Sequence, residues 1–173
     1  LYHDADFFVT EQRYEGFKKT IKEKYPNIEI IAEKGVSDSD LVSQSQSQAD
    51  AIINQNPDLK GMWAPWDVPA EGVMAAARSA GRTDLKITTI DLGESIGVAM
   101  AQNQLIAGTS AQRPYDQGVT EAKIAAGSRV LGKDYPTYVA LSALPVTHTN
   151  LSDAWQEVYH DALPGDISKL LDK

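Results

Sequence analysis

The chain has 173 residues, enough for one domain with a substantial core, and 42% of them are hydrophobic. Its net charge of −8 argues against nucleic acid or an anionic membrane surface as a partner, and no apolar run reaches the roughly 18 residues of a membrane span. It contains no cysteine, which removes disulfides and thiolate chemistry and suits cytoplasm and periplasm alike.

The opening Leu1-Tyr2-His3-Asp4 carries no initiator Met and no polar lead-in, and reads as the tail of a strand from a longer protein. A helix is predicted over 10–25, with Thr10 as N-cap and Tyr14, Phe17 and Ile21 on one face; Pro26-Asn27 ends it. Residues 28–32 read as a strand closed by Gly35, and residues 37–40 offer caps for a second helix over 41–56, stopped by Pro57. A strand over 59–64 is followed by a helix starting near Val68, which tolerates Pro69 in its first turn and stops at Gly81.

Lys86-Ile-Thr-Thr-Ile-Asp91 is an apolar run ending on a lone carboxylate, and it opens into Leu92-Gly93-Glu94-Ser95. It reads as a buried strand that delivers Asp91 to its carboxyl end. A helix through Val98-Ala99-Met100 and a strand over 105–110 follow. This alternation with short connections predicts an α/β fold, a parallel sheet with helices on both faces. After Pro114 come a long helix over 115–131, a strand-like run over 138–146 and a short helix over 152–160 in a polar tail.

In open parallel sheets small ligands bind at the carboxyl ends of the strands. The residues expected there are Arg13 on the first turn of the first helix, Trp66 and Asp67 after the 59–64 strand, Asp91, and Gln112 after the 105–110 strand. That set suits a sugar, whose hydroxyls donate and accept while its C–H faces pack on a flat aromatic ring. Charged partners make the stronger hydrogen bonds. Each residue also has a plainer reading. Arg13 can be a solvated charge balanced by Glu11 and Glu15, Asp67 a helix cap, Trp66 a core residue and Gln112 a solvated loop residue. Asp91 has no adjacent cation in sequence, and a strand-end carboxylate of that kind needs a reason.

Gly93-Glu94-Ser95-Ile96-Gly97 matches the G-x-S-x-G nucleophile elbow, with His148 and His160 downstream, and it keeps a serine hydrolase using Ser95 as a distant alternative. No oxyanion segment of the HGGG kind precedes it, and the glycines also serve as turn and helix-entry residues. The His3-Asp4-Ala5-Asp6 loop lacks a second ligand pair, and there is no glycine-rich phosphate cradle. No metal and no cofactor are therefore expected.

Four stretches together resemble the type I periplasmic sugar-binding proteins, near the ribose-binding branch: Glu11-Gln12-Arg13-Tyr14-Glu15-Gly16-Phe17, Asn56-Pro57-Asp58-Leu59-Lys60-Gly61-Met62, Thr89-Ile90-Asp91 and Gln104-Leu105-Ile106-Ala107-Gly108-Thr109. The likeness covers about residues 1–147 and matches only the second half of that two-lobed fold. It implies a carboxy-terminal ligand-binding lobe over 1–112, a hinge-crossing helix over 113–137 that packs on the other lobe, and a last strand and tail over 138–173.

By position, the family's sugar-binding arginine falls on Arg13, its strand-end aspartate on Asp91 and its hinge amide on Gln112. The amide of its Asn-Asp pair falls on Trp66, with Asp67 keeping the acid. A loop position where the family often stacks an aromatic falls near Asp38, so the stacking role is expected to have moved to Trp66. The resemblance implies non-catalytic binding of a sugar or polyol, an ABC transporter permease as partner, and a periplasmic or extracellular location. The same core resembles the effector domain of LacI-type repressors, which stands as the alternative. Val119, Ile124 or Ala125 on the 115–131 helix is expected to lie uncovered and to favour self-association.

Overall fold

Strand and helix alternate in the computed structural model, which describes residues 1–37 and 39–171. In chain order the elements are β1 (Tyr2–His3), α1 (Phe8–Lys24), β2 (Gly35–Val36), α2 (Leu41–Gln55), β3 (Gly61–Trp63), α3 (Asp67–Ser79), β4 (Lys86–Ile90), α4 (Glu94–Ala101), β5 (Ile106–Ala111), α5 (Pro114–Leu131), β6 (Leu144–Val146), α6 (Leu151–Tyr159) and α7 (Gly165–Leu171). β3, β4 and β5 pair in parallel, and β6 joins β5 antiparallel to close a four-stranded sheet in the order β3-β4-β5-β6. β1 and β2 form a separate parallel pair. The α/β fold expected from the alternation is the one that forms.

The sheet has two unlike faces. Met62 and Ile87 are buried on one, where α3 packs against β4 and α4 against β5. On the other, α1 meets β3 through Phe17, whose ring stacks on Trp63 at 4.7 Å and 10°. Beyond that contact the second face opens: Lys86 and Thr88 are exposed, so β4 alternates where the sequence suggested a strand buried throughout.

The core is assembled from Leu85, Ile87, Ile96, Met100, Leu151, Val158 and Ile167, all essentially inaccessible. Each such side chain contributes on the order of 1.5–3 kcal/mol by burial. α2 and α3 pack most closely. A Cβ on Gly72 would run into the Val42 carbonyl and lie 2.7 Å from the Ser45 Cβ, so glycine is what lets the two helices approach.

Several boundaries depart from expectation. Thr10 does not cap α1. The helix begins two residues earlier, and the Thr10 hydroxyl donates to the Phe7 carbonyl from inside it. Asp40 does cap α2, accepting the Ser43 N–H at 3.4 Å. Residues 28–32 are not a strand: the two residues of β1 pair only as far back as Gly35, so Ile28, Ile30 and Ile31 remain exposed.

Gly35 lies within β2 and does not close a strand before it. The 28–34 segment is instead tied to α1, where Glu33 accepts the Tyr14 hydroxyl and pairs with Lys18 at 3.3 Å. The run expected as a strand over 138–146 shortens to β6, and residues 138–143 are exposed. α7 and the short 3-10 turn His148–Asn150 went unread. On α5, Val119 and Ile124 are half-buried and Ala125 exposed. Asp38 lies outside the described residues.

Candidate functional site

β4 delivers Asp91 to its carboxyl end in a left-handed conformation, φ 72°. A non-glycine residue there costs on the order of 1–2 kcal/mol, and aspartate tolerates it better than most. Two bonds hold it: the Asp91 N–H donates to the Ser110 carbonyl at 3.1 Å, and its own carbonyl accepts the buried Thr109 hydroxyl at 2.6 Å. The backbone is thus fixed by β5, and the carboxylate is aimed away from the strand.

Three of the expected residues meet at that carboxylate. Asp91 Oδ1 accepts the Gln112 Nε2 amide at 2.6 Å, and Oδ2 lies 3.4 Å from Arg13 Nη1. Arg13 also donates to the Pro65 carbonyl at 3.0 Å, which places α1 against the end of β3. The Arg13 side chain is only 14% exposed and that of Asp91 24%. This excludes the reading of Arg13 as a solvated charge balanced by Glu11 and Glu15. Gln112, by contrast, is exposed.

Trp66 and Asp67 form a second cluster beside the first. Trp66 immediately follows Pro65 and is half-buried, with His3 edge-on to its ring at 4.9 Å and 80°. The His3 Nδ1 is in turn 3.0 Å from the Thr10 hydroxyl. Asp67 is the first residue of α3, and its carboxylate accepts the Val68 N–H at 3.0 Å while packing over Gly93. Burial, and then the nearby charge of Asp91, raise the Asp67 pKa above the ordinary carboxylate value. Asp67 thus stands both at the start of α3 and beside the Asp91 carboxylate.

Two contributors were not singled out from sequence. The Thr109 hydroxyl holds the Asp91 backbone, and Tyr159 donates to the Leu92 carbonyl from α6. Burial, followed by the charges of Asp67 and Asp91, pushes the Tyr159 hydroxyl pKa up. Thr109 could have been suspected as an inward-facing hydroxyl beside the strand carrying Asp91. Tyr159 comes from a helix far downstream, and no local pattern ties it to Leu92.

The G-x-S-x-G stretch does not form a nucleophile elbow. Ser95 lies inside the first turn of α4, and its hydroxyl donates to Glu71 at 2.6 Å. The two downstream histidines are engaged elsewhere, His148 with the Met100 carbonyl and His160 with Asp116. Among the described residues no group of three or more His, Cys, Asp or Glu side chains is placed to hold a metal ion.

A family model described as a periplasmic binding protein domain matches residues 1–129. The chain belongs to that family. A D-apiose import binding protein from Actinobacillus succinogenes is 30% identical over 105 residues, covering 61% of this chain and 33% of the relative. A ribose operon repressor from Halalkalibacterium halodurans is 29% identical over 119 residues, covering 66% of this chain and again 33% of the relative.

Among solved structures, a 5-methylthioribose transporter solute-binding protein from Thermotoga lettingae superposes with a TM-score of 0.75 at 23% identity. That match covers 98% of this chain and 57% of the other. An ABC transporter periplasmic solute-binding protein from Actinobacillus succinogenes, solved with D-allose, gives a TM-score of 0.78 at 22% identity over 88% of this chain and 52% of its own. The chain thus spans about a third of the curated relatives and about half of these structural neighbours. The fold is shared with these structural neighbours.

Proposed function

We propose that this chain is the carboxy-terminal lobe of a sugar- or polyol-binding protein serving an ABC importer. Arg13, Asp91 and Gln112 hydrogen-bond the hydroxyls, and Trp66 packs against the C–H face of the ring. Asp67 borders the site and shapes it electrostatically. The observation that carries this reading is the convergence of Arg13 and Gln112, from two different elements, on the one carboxylate of Asp91. Such a trio presents donors and acceptors together, which a polyhydroxylated ligand needs. Relatives named for D-apiose import and solved with D-allose support the ligand class.

In this reading residues 1–112 form the lobe, 113–137 cross to a second lobe, and 138–173 return as the last strand and tail. Binding is non-covalent, with no catalytic residue: ligand bridges the two lobes and stabilises the closed form through contacts made only there. The location is periplasmic or extracellular, and the macromolecular partner is the permease. α5 meets α6 at its amino-terminal end, where Tyr115 stacks on His160, while Ala125 and part of Val119 and Ile124 stay exposed and drive self-association. Sedimentation at rising concentration checks this, and a monomer throughout counts against it.

Ligand-observed NMR against a panel of pentoses, hexoses and polyols tests the binding. At least one sugar is expected to give a saturable signal that Asp91→Ala weakens at least about tenfold. Truncating one partner of a buried charge pair costs roughly 2–5 kcal/mol, and tenfold is about 1.4. Unchanged affinity in the variant removes Asp91 from the site. A second reading, the effector core of a LacI-type repressor, is favoured by the match to the ribose operon repressor. It uses the same trio for the same ligand chemistry, and operator release on sugar binding by the longer protein distinguishes it.

A further inference from the structure

The last turn of α6 reaches both loops of the Asp91 corner. Its base is firmly seated: Leu151, Ala154 and Val158 are buried, and Trp155 packs over α4, where a Cβ on Gly97 would lie 3.1 Å from the indole ring. From that base Tyr159, its ring tilted against Trp155 at 4.7 Å, sends its hydroxyl to the Leu92 carbonyl. Leu92 is the residue after Asp91.

The residues on either side of Tyr159 hold the other loop. His160 Nε2 lies 3.1 Å from Asp116 Oδ1, and its ring stacks on Tyr115 at 4.1 Å. Asp116 Oδ2 accepts the Arg113 Nε hydrogen at 2.7 Å, and Arg113 Nη1 lies 3.5 Å from Glu157. Arg113 is the residue after Gln112. One helical turn thus grips the residue that follows each of two members of the trio.

Gln112 needs such support. It is exposed, and no packing selects the rotamer that places its amide on Asp91 Oδ1. Ordering a free glutamine side chain costs entropy comparable to what one hydrogen bond to a charged group returns. The bond therefore persists where the backbone on both sides of Gln112 is held still. On the amino side Ala111 is buried at the end of β5; on the carboxyl side the grip on Arg113 does the same.

We propose that the last turn of α6, through Glu157, Tyr159 and His160, is a positioning element for the Asp91 corner. It braces the 91–92 and 112–113 backbone against each other and so keeps the Gln112 amide on the Asp91 carboxylate, without touching ligand. Its bearing on affinity rests on the sugar-binding reading above; the brace itself does not. Burial, and then the charges of Asp67 and Asp91, raise the Tyr159 hydroxyl pKa, which agrees with its standing close behind both carboxylates. α6 lies beyond the residues 1–129 that carry the family match, so this control comes from the remainder of the chain.

The test is 15N relaxation of the Gln112 side-chain amide in the full chain without ligand. Its order parameter is expected to stand above about 0.6 in the unchanged chain and to fall below that value in Tyr159→Phe, which keeps the ring and removes the hydroxyl. Glu157→Gln joined to His160→Gly is expected to do the same, since glycine suits the left-handed helix end at φ 54°. The two ends act in series, so combining all three substitutions is expected to add no further loss. A lower urea midpoint with the amide as ordered as before is the mark of a merely structural role and overturns the proposal. So does an amide already flexible in the unchanged chain, or two losses that simply add. With D-allose as the probe, Tyr159→Phe is expected to weaken binding at least about threefold, less than Asp91→Ala because it acts through Gln112. An amide that loosens while D-allose affinity holds supports the brace and removes Gln112 from the ligand, so the brace and the sugar reading fail separately.

Discussion

The two sheets of this molecule are built from similar residues and end in different states. β4 and β5 bring Ile87, Ile106 and Thr109 into a closed interior, and their pairing continues until Asp91 and Gln112 are set at the edge. β1 and β2 pair over two residues each, and the three isoleucines beside them stay in solvent. Local preference does not separate the two, since Ile28–Ile31 is as apolar as Ile87–Ile90. A neighbour on each side does. A β-branched run becomes a strand only where flanking backbone accepts its hydrogen bonds and a helix covers its face. The candidate site spans both regions, with Asp91 and Gln112 on the closed side and Arg13 on the open one.

A substitution in the closed half sharpens this contrast most. Gly72→Leu forces α2 away from α3, because a Cβ there already meets the Val42 backbone. Overpacking of this kind costs typically 1–3 kcal/mol, and with backbone as the obstacle a loss of about 3 kcal/mol is expected, read as a fall in the urea midpoint. A comparable substitution on the open side, such as Ile31→Leu, is expected to change stability by less than about 0.5 kcal/mol. Equal losses at the two positions would erase the distinction.

Sequence patterns disclosed the closed half well and the open half poorly, for the same reason. Alternating strands and helices from β3 to β5 carry their own punctuation, such as Pro57, Pro69 and Gly81, and long-range pairing merely confirms it. The fate of residues 28–32 and of 138–143 depends on what lies beside them, which no local pattern encodes. At the site, strand-end position picked out Asp91, and chemistry suggested that Arg13 and Gln112 belonged with it. The Arg13–Pro65 bond and the Thr109 hydroxyl beneath Asp91 were hidden because both are contacts between distant elements. Asp67 kept both readings that its sequence allowed: its carboxylate accepts the Val68 N–H at the start of α3 and also lies close enough to Asp91 to feel its charge.

The open half makes a smaller prediction, in pH. The Leu1 amine has an ordinary pKa of 8.0 and is held at about 6 in the folded chain, chiefly by burial and with partial opposition from Glu33. Between those values the unfolded chain binds a proton that the folded chain has released, so folding stability from this group rises as pH increases from about 6 to about 8. It is flat above that range and fully lost below it. Two pKa units correspond to roughly 2–3 kcal/mol. Urea midpoints measured at intervals across the range are expected to show that rise in this chain and to lose it when the amine is acetylated. An acetylated chain that keeps the full pH dependence would remove the buried Leu1 amine as its origin; Asp67 cannot replace it, because a carboxylate whose folded pKa is raised makes stability fall as pH rises.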